Sequence, residues 1–150
     1  MVTLNFIKIK TSTEDSAGSS NNLALKICQD GMTTRYPPEP IDCCNTGTIS
    51  GNLDKGSEVQ FSRTKLGECD RVKINSNADI DVTFTQVNSN GWRGEMLSVF
   101  GVKDGAVWTY GCPITTWLDV NSQEDHGENN PSSFETNCKV TEYKEPDYDY

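Results

Sequence analysis

The residues that catalysis would need are scarce and poorly placed in this sequence. Nucleophilic catalysis requires a base beside a serine or cysteine, and the single histidine, His126, lies in a polar segment spanning residues 123–131. The chain has 22 acidic residues among 150, so close carboxylate pairs arise by composition alone and give no signal of glycosidase-type chemistry. Gly101 and Gly105 do not form a phosphate-binding loop. We therefore expect a protein that is not an enzyme.

The six cysteines are better explained by disulfide bonds than by a redox centre or a zinc site. Their number is even, no Cys-x-x-Cys pair is present, and one histidine is too few for a mixed zinc site. We expect three disulfides formed in an oxidising, extracellular compartment, with fifteen connectivities open. Adjacent Cys43 and Cys44 are expected to bond different partners. The cysteines concerned are Cys28, Cys43, Cys44, Cys69, Cys112 and Cys138.

Charge and hydropathy exclude several partners. The formal net charge is −9, which opposes binding to a phosphate backbone, so we expect no nucleic-acid partner. No apolar run approaches the roughly 20 residues that span a bilayer. The N-terminus lacks the features of a secretory signal, so a secreted location requires that a leader was removed or omitted. Met32 and Tyr36 are the candidates for loop tips that enter a membrane interface.

Apolar residues alternate with polar ones along most of the chain. This period of two predicts an all-β, antiparallel two-sheet β-sandwich of about eight strands. In the first strand the alternation changes phase between Phe6 and Ile7, which a β-bulge would explain. Trp92, Trp108 and Trp117 lie within strand patterns and are expected in the core. The alternating runs are Val2–Ile9, Leu23–Ile27, Val59–Phe61, Val72–Ile74, Ile80–Phe84, Leu97–Val99 and Trp108–Tyr110.

The pattern weakens towards the C-terminus. Residues 122–150 are polar and acidic, and we expect them to form an extension without a core, separate from a sandwich of residues 1–121. Cys138 is the exception, because it can tether the extension to the sandwich or bond to a neighbouring molecule. Tyr143, Tyr148 and Tyr150 are flanked by carboxylates, which makes them candidates for sulfation in a secretory pathway.

Three segments together resemble the PLAT domain, the lipoxygenase-homology sandwich. Residues 11–30 resemble the first strand, polar turn and second strand of that family. Residues 53–74 resemble its acidic-basic-Gly-Ser segment and Leu-Gly strand entry. Residues 91–119 resemble its tryptophan-bearing strand and aromatic-x-Cys to Trp-Leu closure. The resemblance covers about residues 3–121, and Asn21 departs from it by standing where aspartate is frequent.

The resemblance implies an accessory module that docks a protein, lipid or surface ligand through loops at one end of the sandwich. Such docking is often assisted by calcium, which takes six to eight oxygen ligands. Backbone, amide and carboxylate oxygens for the cation would come from Gly18, Ser20, Asn21, Asp54 and Asp79. These residue types also favour turns without any ligand.

The alternative is a structural function and not a binding function. The chain would then be a subunit that self-associates into a homo-oligomer or polymer at a cell surface or outside the cell. The contacts would be made by its C-terminal extension or its edge strands. A lipid-modifying activity comes third, since it would need a catalytic domain elsewhere in a longer precursor or on a partner.

Overall fold

The computed structural model describes residues 1–13, 22–34, 37–50, 53, 56–86, 92–115, 117–118 and 133–145. Within these residues every extended element is antiparallel to its neighbours, and no helix is long and apolar enough to cross a membrane. Two short 3-10 turns, Arg63–Lys65 and Gly67–Cys69, interrupt the strands. The strands are β1 (Val2–Thr11), β2 (Asn22–Thr33), β3 (Pro40–Ser50), β4 (Glu58–Ser62), β5 (Lys73–Ile74), β6 (Ile80–Gln86), β7 (Trp92–Lys103), β8 (Ala106–Pro113), β9 (Trp117–Leu118) and β10 (Ser133–Lys144).

The strands form one sheet that closes on itself. Its order is β4-β1-β5-β2-β6-β10-β8-β7-β9, with β3 paired to β2 beside this path. β1 also pairs with β7, which completes a ring of seven strands. The prediction of an all-β antiparallel fold is confirmed. The two sheets expected from the sequence are joined instead into a sandwich-like barrel, because the two-residue strand β5 bonds to β1 through Lys73 and Ile74 and to β2 through Lys73.

The predicted bulge in the first strand is confirmed. The pairing of β1 with β7 shifts register between Leu4 and Phe6, and Asn5 and Phe6 are both half-buried. After the shift, Ile7 and Ile9 again point into the core. The extra residue therefore lets two apolar sets of opposite phase both face the interior.

The barrel interior is filled by the alternating apolar positions of the predicted strands. Trp92 is fully buried, as expected, and its indole Nε1 donates a hydrogen bond to Thr11 Oγ1 at 3.0 Å. Trp108 is partly buried and packs against the core. The largest fully buried side chains come from most strands of the ring: Trp92, Tyr110, Phe84, Leu4, Ile7, Ile9, Leu23, Leu25 and Ile27.

The C-terminal segment corrects one expectation. Residues 133–144 are not an appendage without a core but strand β10, inserted between β6 and β8. Thr136 and Cys138 face the interior, and Phe134 packs against it. The alternation of Phe134, Thr136, Cys138 and Val140 was visible in the sequence, but the many charged and polar neighbours obscured it.

All six cysteines form disulfides, as predicted. Cys28–Cys43 joins β2 to β3, Cys44–Cys69 joins β3 to the second 3-10 turn, and Cys112–Cys138 joins β8 to β10. The neighbours Cys43 and Cys44 bond different partners, and Cys138 provides the expected tether. Three disulfides are typical of a protein from an oxidising, extracellular environment.

Candidate functional site

One end of the barrel is organised by a buried glutamine. Gln29, 6% exposed, lies on β2 and faces the turn of residues 75–79 that precedes β6. Its Nε2 donates hydrogen bonds to the carbonyl oxygens of Asn75 (2.8 Å) and Ala78 (3.1 Å), and its Oε1 accepts one from the Asn75 N–H at 2.7 Å. Because a side-chain amide offers both donors and an acceptor, one residue satisfies three backbone groups of the turn.

A buried tyrosine fixes the same turn from inside. The Tyr110 hydroxyl donates a hydrogen bond to the Asn75 carbonyl at 3.1 Å, and its ring is fully buried. Burial disfavours the phenolate and raises the pKa of Tyr110 to about 12. The turn is therefore held by two strands of the ring, β2 and β8, and is a rigid platform for the side chains it carries.

An acidic depression of about 310 Å³ opens beside this turn. Four aspartates line it, namely Asp30 from β2, Asp42 from β3, Asp79 from the turn and Asp81 from β6. All four are exposed to solvent. Asn137 Nδ2 donates a hydrogen bond to Asp81 Oδ1 at 2.9 Å, which links β10 to this rim. The disulfide Cys28–Cys43 forms part of the wall.

A second depression, of about 370 Å³, adjoins the first and shares Ala78 and Asp79 with it. Its wall is partly aromatic: the rings of Trp108 and Tyr143 lie 4.9 Å apart between centroids, inclined at 41°. Tyr143 is 49% exposed and Val140 is 40% exposed. A register shift in β10 between Val140 and Glu142 places Tyr143 opposite Trp108.

The two depressions together are called the Asp79 surface below. The sequence singled out Asp79 as a calcium ligand, Tyr143 as a sulfation site and Trp108 as a core residue, but did not predict that they lie together, because they come from elements far apart along the chain. Only the antiparallel pairing of β2 with β6, and of β10 with β6 and β8, brings them together. The charged, aromatic and large apolar members of the Asp79 surface are Asp30, Asp42, Asp79, Asp81, Trp108, Lys139, Val140 and Tyr143.

The opposite end of the barrel carries the flanks of the first polar loop. There Thr11 Oγ1 donates a hydrogen bond to the Leu53 carbonyl at 3.2 Å and accepts the one from Trp92. Four of the five predicted calcium ligands, Gly18, Ser20, Asn21 and Asp54, lie outside the described residues.

Asp79 is separated from that end by the length of β6. Leu23 pairs with Gln86 at the far end of β6, and seven residues of strand correspond to about 23 Å at the usual rise. A calcium ion lies within about 2.6 Å of each ligand, so an ion bound by Asp79 would not reach the strand ends that flank the first loop. Among the described residues, no group of three or more His, Cys, Asp or Glu side chains is placed to hold a metal ion.

One of the two predicted membrane-facing loop tips is contradicted by the structure. Met32 is fully buried in β2 and pairs with Ile41 of β3, so the prediction that it is a loop tip is wrong; Tyr36 lies outside the described residues. Met32 follows Gly31, whose positive φ of 84° lies in a register shift between β2 and β3. This irregularity directs the Met32 side chain into the core, although most of its neighbours along the chain are polar.

Of the tyrosines predicted as sulfation sites, Tyr143 is half-exposed on the Asp79 surface, and Tyr148 and Tyr150 lie outside the described residues. The modification itself stays a prediction.

A separate depression of about 440 Å³ carries the opposite charge. It is lined by Arg71, Lys73 and Lys103, with Asp104 as the acidic member. The Arg71 guanidinium also lies 3.4 Å from the Asp70 carboxylate. Basic and acidic side chains are thus concentrated on different parts of a strongly acidic protein.

No protein-family model and no curated protein matches this chain. Solved structures do match. A lipoxygenase variant in complex with arachidonate superimposes with a TM-score of 0.54 at 10% identity, over 91% of this chain and 16% of the lipoxygenase. A second structure of that variant gives 0.53 at 10% identity with the same coverage. A form with one further substitution gives 0.53 over 92% of this chain and 16% of the other.

The chain thus spans about one sixth of the length of the structures it matches, and the likeness concerns the fold. The protein has a PLAT-like fold, matching the N-terminal PLAT-like region of lipoxygenase.

Proposed function

We propose that the protein is a non-catalytic extracellular module that docks a protein, lipid or surface ligand at one end of its barrel. PLAT-like domains are generally binding modules, and the three disulfides favour an extracellular location. The observation that carries the proposal is the contact of the exposed Tyr143 ring with the partly buried Trp108 ring beside the acidic depression.

The exposed apolar side chains beside Trp108 are a physical reason to place docking on the Asp79 surface. The described residues contain four large exposed hydrophobic side chains, Met1, Met96, Val140 and Tyr143. Two of these four lie together on the Asp79 surface, next to Trp108. Tryptophan and tyrosine contribute disproportionately to binding energy because they combine a large apolar area with a polar group. The rigid turn of residues 75–79 reduces the entropy lost on binding.

Calcium assistance is a second element of the proposal. The fold resemblance supports it, and Asp54 with the first loop would provide the site. Asp79 is assigned to the docking surface instead, because β6 holds it far from the strand ends that flank that loop.

The docking proposal is tested by measuring how much fluorescently labelled protein is retained on cultured cells and on phosphatidylcholine vesicles with and without phosphatidylserine. Tyr143→Ala should reduce retention on the target surface. Met96→Ala is the matched control, because Met96 is an exposed hydrophobic residue on β7, outside the Asp79 surface. Equal retention of both variants and the parent would contradict docking through this surface.

Self-association is the second candidate, and the two surfaces of opposite charge favour it. The basic depression of one molecule would meet the Asp79 surface of another. Sedimentation velocity at low salt should then show concentration-dependent association that disappears at high salt. A monomer at all concentrations would exclude this function.

A further inference from the structure

We infer that the Asp79 surface recognises a positively charged polypeptide segment, with its aspartates facing lysine or arginine side chains and the Trp108–Tyr143 pair packing against one cationic group. The inference rests on the proposed docking function and names the chemistry of the partner.

The charge distribution favours a basic partner. Four exposed aspartates converge from three strands and one turn on the first depression, which has no lysine or arginine among its described lining residues. The net charge of −9 adds a longer-range attraction that would speed the encounter with a basic segment. At physiological salt the Debye length is about 8 Å, so only the carboxylates on the surface itself distinguish one docking orientation from another.

The aromatic pair supplies a second form of cation recognition. The face of an indole or phenol ring carries negative electrostatic potential, and guanidinium groups stack on such faces more often than ammonium groups do. Trp108 and Tyr143 are inclined to each other at 41°, and Tyr143 is half-exposed. Asp79 lines the same depression as the two rings. A cationic group on the rings would therefore lie near a carboxylate.

Lys139 should oppose the binding of a basic segment to the Asp79 surface. It is exposed on β10 and is the one basic residue among the described residues that line the second depression. Its ammonium group repels a basic segment bound there. Removing that charge with Lys139→Gln should strengthen binding, whereas removing the charge of an aspartate should weaken it.

The test uses an oligo-arginine peptide and the same peptide with citrulline in place of arginine, which keeps the shape and removes the charge. Dissociation constants are measured by isothermal titration calorimetry on the intact, oxidised chain. The variant Asp42→Asn with Asp79→Asn should bind oligo-arginine about fivefold more weakly than the control Glu58→Gln with Glu95→Gln. Both double variants change the net charge by the same amount, but Glu58 and Glu95 lie on β4 and β7, outside the surface.

The aromatic contribution is tested separately. Tyr143→Ala should weaken oligo-arginine binding about threefold relative to Met96→Ala, and Lys139→Gln should strengthen it. Amide chemical shifts should change around Asp79, Trp108 and Tyr143 when the peptide is added. Circular dichroism of each variant shows whether it retains the fold.

Three results would overturn the inference: equal affinity for the citrulline peptide, equal losses in the two double variants, or shift changes confined to other surfaces. If retention on cells depends on Tyr143 while oligo-arginine binding does not, the docking function stands and the cationic partner is wrong. If the peptide binds as expected but no cell or vesicle retains the protein, the cationic specificity stands and the docking to surfaces is wrong.

Discussion

The disulfide between Cys112 and Cys138 is expected to be the most stabilising of those that join neighbouring strands. It ties β10, the strand that the sequence pattern concealed, to β8. Its sequence separation is 26 residues, and the chain-entropy relation for a loop of this size gives about 12 cal/mol/K, or about 3.5 kcal/mol at 25 °C. The separation of 15 residues for Cys28–Cys43 gives about 3 kcal/mol.

The two disulfides also differ in how deeply their cysteines are buried, which increases the expected difference in stabilisation. Both Cys112 and Cys138 are fully buried, whereas Cys28 and Cys43 are half-buried. Replacing a buried pair by alanines removes core contacts, at about 1 kcal/mol for each deleted group. Cys112→Ala with Cys138→Ala should therefore lose about 5 kcal/mol, and Cys28→Ala with Cys43→Ala about 3 kcal/mol. Domains of this kind are stable by about 5 to 15 kcal/mol, so the first variant would be marginal.

The assay is equilibrium unfolding in guanidinium chloride, followed by the fluorescence of the buried Trp92. The free energy of unfolding is extrapolated to water for the parent and for both double variants. A loss below about 2 kcal/mol for the Cys112 and Cys138 variant, or a larger loss for the Cys28 and Cys43 variant, would refute the reasoning. The first outcome would mean that β10 is held by its hydrogen bonds and not by its tether.

Three further predictions follow from single positions. Because the pKa of Tyr110 is raised to about 12 from an ordinary value of 10.0, the folded state keeps its proton more tightly. The contribution of Tyr110 to stability is fully present below about pH 10 and is lost as the pH rises towards about 12, by about 3 kcal/mol in all; Tyr110→Phe should flatten this loss in alkaline unfolding curves. Gly94→Ala should destabilise by about 1 to 3 kcal/mol in thermal unfolding, because a Cβ there would lie 2.4 Å from the Trp92 ring, and an unchanged melting temperature would contradict that packing. If millimolar calcium raises the melting temperature, Asp54→Ala should abolish the rise and Asp79→Ala should leave it intact; the reverse result would return Asp79 to the calcium site.

Much of the fold follows from sequence periodicity. Alternation of apolar residues predicted seven strands of the ring or its edges, and a change of phase after Phe6 predicted the bulge that the β1–β7 register shows. These features are local, since the face on which a side chain lies depends only on its position along one strand. The even number of cysteines likewise predicted three bridges, although not their pairing.

Strands with polar sequences were the ones the pattern missed. In β3, Pro40–Ser50, and β10, Ser133–Lys144, few apolar residues mark the buried face. Their position is secured by neighbours and by disulfides at Cys43, Cys44 and Cys138. Met32 was misjudged for a related reason, because the register shift around it cannot be read from the residues themselves.

The sequence by itself determined the antiparallel β class, the disulfide chemistry, the acidic charge and the resemblance to the PLAT family, because each depends on residue types and short-range spacing. Tertiary structure decided which side chains meet. It separated Asp79 from the strand ends beside the first loop and joined it to Asp30, Asp42, Asp81, Trp108 and Tyr143. The physical reason is that strand register and barrel closure arise from hydrogen bonds between residues distant in the chain, and no local pattern specifies them.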